Sequence, residues 1–156
     1  MHIHKLEKVW LIIGTVTLIA FLTTIGLQAF TEEHKAPPSE NEIIDPEKVL
    51  ETAPFDDPGL KQVGENEYEL VIVLQSYSFT PNKIEIPQGA EVKIIVTTAD
   101  VVHGFEIAGT NVNMMVTPGY INTMTYTFDK PGSYLILCNE YCGIGHHLMS
   151  AELEVI

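Results

Sequence analysis

The sequence predicts an all-β domain of sandwich or barrel type, carried behind a single membrane-spanning helix. Three observations point there: an uncharged apolar run near the N-terminus, a series of short β-branched and aromatic segments from residue 68 onward, and turn signals between them. The chain has 156 residues, room for one domain and an appendage.

The apolar run, residues 9–30, carries no charge. At about 1.5 Å per residue it can cross a hydrocarbon core of about 30 Å. A cleaved signal peptide has a shorter core, of about 7–15 residues, ending in small residues, and Leu27-Gln28-Ala29 fits that poorly. A retained anchor is therefore expected. Lys5 and Lys8 precede the run and Thr31-Glu32-Glu33 follow it, which predicts a cytoplasmic N-terminus and an extracytoplasmic C-terminal domain, single-pass in a prokaryotic cell membrane.

Residues 31–66 read as an acidic linker, rich in Pro, Glu and Asp, with little to bury and expected to be mobile or draped on a partner. Within it Asp45-Pro46-Glu47 resembles a helix start, and a short helix is expected over Pro46–Glu51. The β texture then begins, and residues 67–156 form the expected domain. Strands are predicted at 68–74, 83–86, 92–98, 104–107, 121–128, 133–137 and 152–156. Thr80-Pro81-Asn82, Pro87-Gln88-Gly89, Thr117-Pro118-Gly119 and Lys130-Pro131-Gly132 supply the turns. Seven short strands with no long helix predict an antiparallel sandwich or barrel.

The charge is as uneven as the hydropathy. Beyond the apolar run lie 20 Asp and Glu residues against six Lys, a formal balance of −14, and the chain contains no Arg. Nucleic acid is excluded as a partner, because phosphate recognition needs a cationic face. An acidic surface can steer a cationic partner, or simply keep the domain soluble.

The chemistry is concentrated in one segment: Cys138, Asn139, Glu140, Tyr141, Cys142, Gly143, Ile144, Gly145, His146, His147, Leu148 and Met149, with His103 upstream. Two cysteines in an exported domain would ordinarily suggest a disulfide. Thiolate, imidazole and thioether together favour copper, because soft sulfur donors suit it and a weak methionine ligand is common at its electron-transfer sites. Zinc would accept Cys138, Cys142, His103 and His146 but leave Met149 idle. A single blue-copper ion would leave one cysteine idle. Two thiolates four residues apart can each bridge one pair of copper ions.

The spacing H…C-x3-C-x3-H-x2-M, preceded by Asp100-Val101-Val102-His103-Gly104-Phe105, resembles subunit II of haem-copper oxidases. The resemblance covers residues 68–156, and the single anchor is closest to the short subunit II of ba-type oxidases. It implies a Greek-key cupredoxin fold and a dinuclear CuA centre. Cys138 and Cys142 would bridge both ions. His103 and Met149 would serve one ion, and His146 with the backbone carbonyl of Glu140 the other. It further implies that the Glu140 carboxylate can bind magnesium at the boundary with subunit I. The family's tryptophan-rich strand is missing, since the only tryptophan is Trp10 in the apolar run.

The implied function is the subunit through which electrons enter a terminal oxidase. They would come from cytochrome c or a small copper protein and pass to the haem of subunit I, where dioxygen is reduced to water beside CuB. The chain alone performs no catalysis. The alternatives are the CuA subunit of a nitric oxide reductase, or a membrane-tethered copper- or zinc-binding module without redox duty. Other residues have narrower expectations. Tyr77 and Phe79 offer aromatic surface for a donor or belong to the core. Asp100 opens a turn or accepts a hydrogen bond from a metal-bound imidazole. His147 is exposed beside the ligand His146. His2, His4 and His34 are solvated. Met114, Met115 and Met124 pack in strands.

Overall fold

The computed structural model describes residues 4–31 and 39–156. The chain divides into two compact units, with the division between Lys35 and Ala36. The first contains one helix, α1 (Lys5–Thr31), of which Lys5–Leu27 is long and apolar enough to span a membrane. Four of its threonines are satisfied internally. Thr15, Thr17, Thr23 and Thr24 each donate a hydroxyl to the carbonyl four residues back, at 2.7–2.9 Å. A helix placed in hydrocarbon would need such internal partners, since hydrocarbon offers none of its own. His4 is exposed ahead of this helix, whereas His2 and His34 lie outside the described residues.

The second unit is a two-sheet sandwich. Its strands are β1 (Ser39–Ile43), β2 (Gly59–Gln62), β3 (Glu67–Gln75), β4 (Ser78–Thr80), β5 (Lys83–Ile86), β6 (Glu91–Thr98), β7 (His103–Ile107), β8 (Asn113–Val116), β9 (Tyr120–Thr127), β10 (Gly132–Leu137) and β11 (Ser150–Val155). One sheet runs β1-β9-β6-β3-β2, with β4 also on β3; the other runs β5-β11-β10-β7-β8. All seven predicted strands are present. The expectation of purely antiparallel pairing is corrected, because β3 pairs parallel with β6 and β5 parallel with β11. The chain leaves β3, visits the opposite sheet as β5 and returns as β6, and such a crossover brings two strands of one sheet into the same direction.

Alternation puts one face of each strand inside. Ala151, Leu153 and Val155 of β11 are buried between exposed neighbours. They join Leu70, Ile72, Leu74, Phe79, Ile94, Phe105, Phe128 and Ile136 in one core between the sheets. Burying each large side chain contributes about 1.5–3 kcal/mol. Phe79 is thus core, edge-on to Phe105 at 6.0 Å, and offers no docking surface. Met114 is buried and Met124 packs on the core, but Met115 faces outward, 57% exposed, because it alternates with Met114 on β8.

The acidic stretch ahead of β3 buries more than its composition suggests. A 3-10 turn occupies Pro46–Glu51 as predicted for a short helix, with the Asp45 side chain accepting from the Glu47 N–H. Ile44, Val49 and Phe55 pack with Val71, Val73, Ile95 and Ile121 on the outer face of the first sheet. The expectation that this stretch buries little is corrected for residues 44–55. A few apolar residues among many acids suffice to cover a sheet face that is itself apolar.

Register places the functional end. Thr98 of β6 lies beside Leu74 of β3, so the turns after both strands meet. Leu137 of β10 pairs with both Glu106 of β7 and Ser150 of β11, so the loop between β10 and β11 emerges beside the start of β7.

Candidate metal centre

Cys138 follows directly from β10, and Met149 directly precedes β11, so the loop between them is tied at both ends to the sandwich. The Cys138 N–H donates to the Met149 carbonyl at 3.3 Å and closes its neck. Within the loop, a 3-10 turn at His146–Leu148 turns His146 and Met149 inward. Cys138, Cys142 and Met149 are all buried, and each also belongs to the hydrophobic core.

The sulfur atoms of Cys138 and Cys142 lie 3.7 Å apart and are not bonded to each other. Four further donor atoms surround them. His103 Nδ1 is 3.9 Å from the Cys138 sulfur, and the Glu140 carbonyl oxygen is 3.1 Å from it. His146 Nδ1 and Met149 Sδ are each 3.7 Å from the Cys142 sulfur. His103, Cys138 and Cys142 have ligand atoms all within 4.8 Å of one another. The five residues singled out by spacing, and Glu140, which the resemblance added, are therefore brought to one place, although His103 comes from a different strand.

His103 is fully buried and its orientation is determined from behind. Its Nε2 is 2.8 Å from Asp100 Oδ1. A carboxylate only accepts, so Nε2 carries the hydrogen, and in the neutral ring Nδ1 presents its lone pair to the sulfurs. Asp100 is held in turn by the Val101 N–H, the Thr98 hydroxyl, and the N–H and hydroxyl of Ser76. Partial burial would raise its carboxyl pKa, but the hydrogen bonds from His103, Ser76 and Val101 outweigh that and hold it well below the usual range. The two roles expected as alternatives for Asp100 are combined: it shapes the turn and accepts from the imidazole.

Burial, followed by the adjoining Cys138 thiol, pushes the Cys142 thiol up to about 11. A cation among the sulfurs would displace the thiol protons. The donor chemistry, two thiols with two imidazole Nδ1 atoms, a thioether and a carbonyl, fits copper.

Other residues of the site were not evident in the sequence. Asn139 donates to Glu106 at 2.9 Å and to Asn113 at 3.1 Å, fastening the turn after Cys138 to β7 and β8. Gly104, next to His103, lies under that turn. A Cβ there would collide with the Asn139 side-chain oxygen and lie 2.7 and 2.8 Å from the Asn139 and Glu140 nitrogens. The His-Gly pair was the available signal, since a glycine in a strand marks close backbone approach. His147 is exposed, while Tyr141 lies over His146 with ring centroids 5.9 Å apart.

Fold and donor set together define a cupredoxin domain with a sulfur-rich site that fits copper, joined to an apolar helix. Residues 67–156 match the family model described as cytochrome c oxidase subunit II, periplasmic domain. A cytochrome c oxidase subunit 2 of Thermus thermophilus is 40% identical over 154 residues, covering 96% of this chain and 90% of that one. The chain belongs to the cytochrome c oxidase subunit II family. A chain from the solved structure of a heme-copper terminal oxidase dimer aligns over 97% of this chain and all of its own length, with a TM-score of 0.76 and 32% identity. The subunit 2 of Drosophila subobscura, 33% identical, matches over 48% of this chain but only 33% of itself. The near-complete mutual coverage with Thermus places this chain with the short form of the subunit. These relatives give no support to a nitric oxide reductase subunit or a storage module.

Proposed function

We propose that this chain is the subunit through which electrons enter a haem-copper terminal oxidase, and that His103, Cys138, Glu140, Cys142, His146 and Met149 hold a pair of copper ions. The observation that carries the reading is the pair of free, buried thiols 3.7 Å apart, ringed by two Nδ1 atoms, a thioether and a carbonyl. A single ion leaves part of that set unused. Bound there, the copper pair would accept and release one electron at a time, with little rearrangement of its ligands.

The chain's own residues supply the setting. The core around Cys138, Cys142 and Met149 excludes water, and Asp100 holds His103 by its far nitrogen. The carboxylate of Glu140, whose carbonyl already faces Cys138, is proposed to bind magnesium at the boundary with subunit I. Residues 1–30 would be the membrane anchor with the N-terminus cytoplasmic, 31–66 the connecting segment, and 67–156 the copper domain outside. The donor would be cytochrome c or a small copper protein, drawn by the acidic surface. Subunit I would receive the electrons and reduce dioxygen; this chain makes and breaks no substrate bonds.

The test is to load the detergent-solubilised full chain with copper and measure metal content and spin resonance. Two coppers per chain and one unpaired electron shared by both nuclei are expected. One copper per chain, or full occupancy by zinc in preference, would defeat the dinuclear reading.

A further inference from the structure

We propose that Tyr77 is a positioning residue for the outer half of the metal loop, its ring pressing on the main chain at Gly143 and Gly145 and so setting where Cys142 and His146 stand. This rests on the reading that those two side chains hold copper.

Tyr77 lies in the turn between β3 and β4, 41% exposed, so filling the core does not explain it. What it touches is glycine. A Cβ on Gly145 would lie 2.5, 2.6 and 2.8 Å from Tyr77 Cδ2, Cγ and Cε2, nearer than the 3.0 Å below which real Cβ contacts are essentially never seen. One on Gly143 would lie 2.7 Å from the Tyr77 Oη. Gly143 has a positive φ of 126°, which by itself favours glycine. Gly145 does not: φ −87° and ψ 7° lie in a region open to L side chains, and the ring is the obstacle that remains.

Both glycines are covalent neighbours of the site. Gly143 follows Cys142, and its carbonyl accepts from the His146 N–H at 3.1 Å. Gly145 precedes His146, and its carbonyl accepts from the Leu148 N–H at 2.9 Å. The side chains between and after them, Ile144 and Leu148, are 89% and 71% exposed and contribute little packing. Tyr77 is also firmly seated. The N–H and hydroxyl of the preceding Ser76 both donate to Asp100 Oδ2 at 2.7 Å, and Asp100 Oδ1 meets His103 Nε2. One turn therefore supports both halves of the site, one imidazole through a carboxylate and the other through a ring laid on glycine.

The experiment follows copper release to a chelator, the spin-resonance spectrum and the reduction potential of the detergent-solubilised full chain. Tyr77→Ala should release copper about tenfold faster and alter spectrum and potential, whereas Tyr77→Phe, which keeps the ring, should stay within about twofold of wild type. Gly145→Ala should resemble Tyr77→Ala without removing the ring. The double variant should be no worse than Tyr77→Ala alone, because the added methyl then occupies vacated space. A Tyr77→Ala protein with wild-type release and spectrum, a Tyr77→Phe protein as impaired as Tyr77→Ala, or full additivity in the double variant would overturn the proposal. Wild type that takes up no copper would overturn the copper reading as well; normal wild-type loading beside an unaffected Tyr77→Ala overturns this one alone.

Discussion

The two halves of the loop between β10 and β11 are built differently. The first, Cys138 to Glu140, is pressed into the sandwich: Gly104 lies under it, Asn139 ties it to β7 and β8, and the facing His103 is fully buried. The second, Gly143 to Leu148, lies at the surface, with Ile144, His147 and Leu148 exposed and His146 only half-buried. One imidazole is thus locked from inside the fold while the other stands near solvent. A centre that receives electrons from outside and must hold its ligands still is served by that division: rigidity comes from the core half and access from the surface half.

The largest expected effect treats both halves alike. Cys138→Ser or Cys142→Ser should each abolish the shared-electron spin-resonance signal, because either sulfur is half of the proposed bridge. A variant with an unchanged spectrum would remove the bridging assignment. Next, Gly104→Ala tests how firmly the inner half is packed. Its methyl meets main-chain nitrogens that cannot step aside, so denaturant unfolding should show a loss of about 3 kcal/mol. An alanine tolerated there would break the contrast between the halves.

Asp100→Asn sharpens the contrast from behind His103. Copper affinity, measured by chelator competition, should fall about tenfold or more, as is usual when the group behind a metal-bound imidazole is changed. The wild-type carboxyl is held below its ordinary range, so its contribution is complete above the unfolded value of about 3.9 and declines only as acid protonates it. The deficit of the variant should therefore be constant around neutrality. The smallest effect is expected outside. Ile144→Ser should shift the stability of the fold by no more than about 0.5 kcal/mol, since that side chain is already in solvent.

Much of this was legible in the sequence, for local reasons. Residues 151–155 alternate because β11 has one wet face, and Thr80-Pro81-Asn82 and Pro87-Gln88-Gly89 stop strands because proline and glycine constrain the chain. Gly89 and Gly119 sit at positive φ, as their turns demand. The strands that escaped, β1, β2, β4 and β8, are short, and each takes its order from a single neighbouring strand rather than from any pattern of its own. The same holds for Val49 and Phe55, which are buried because an apolar sheet face was waiting for them.

By itself the sequence determined the class of fold, the apolar helix and the candidate Cys, His and Met side chains, since periodicity, length and motif spacing are properties legible along the chain. Only the tertiary structure decided that His103 turns Nδ1 toward the sulfurs, that Asn139 locks over Gly104, and that Tyr77 rests on Gly145. Each of these pairs residues far apart in the chain, and no local pattern encodes a contact that exists only once distant strands have paired, as β7 and β10 do, or the two sheets have closed on each other.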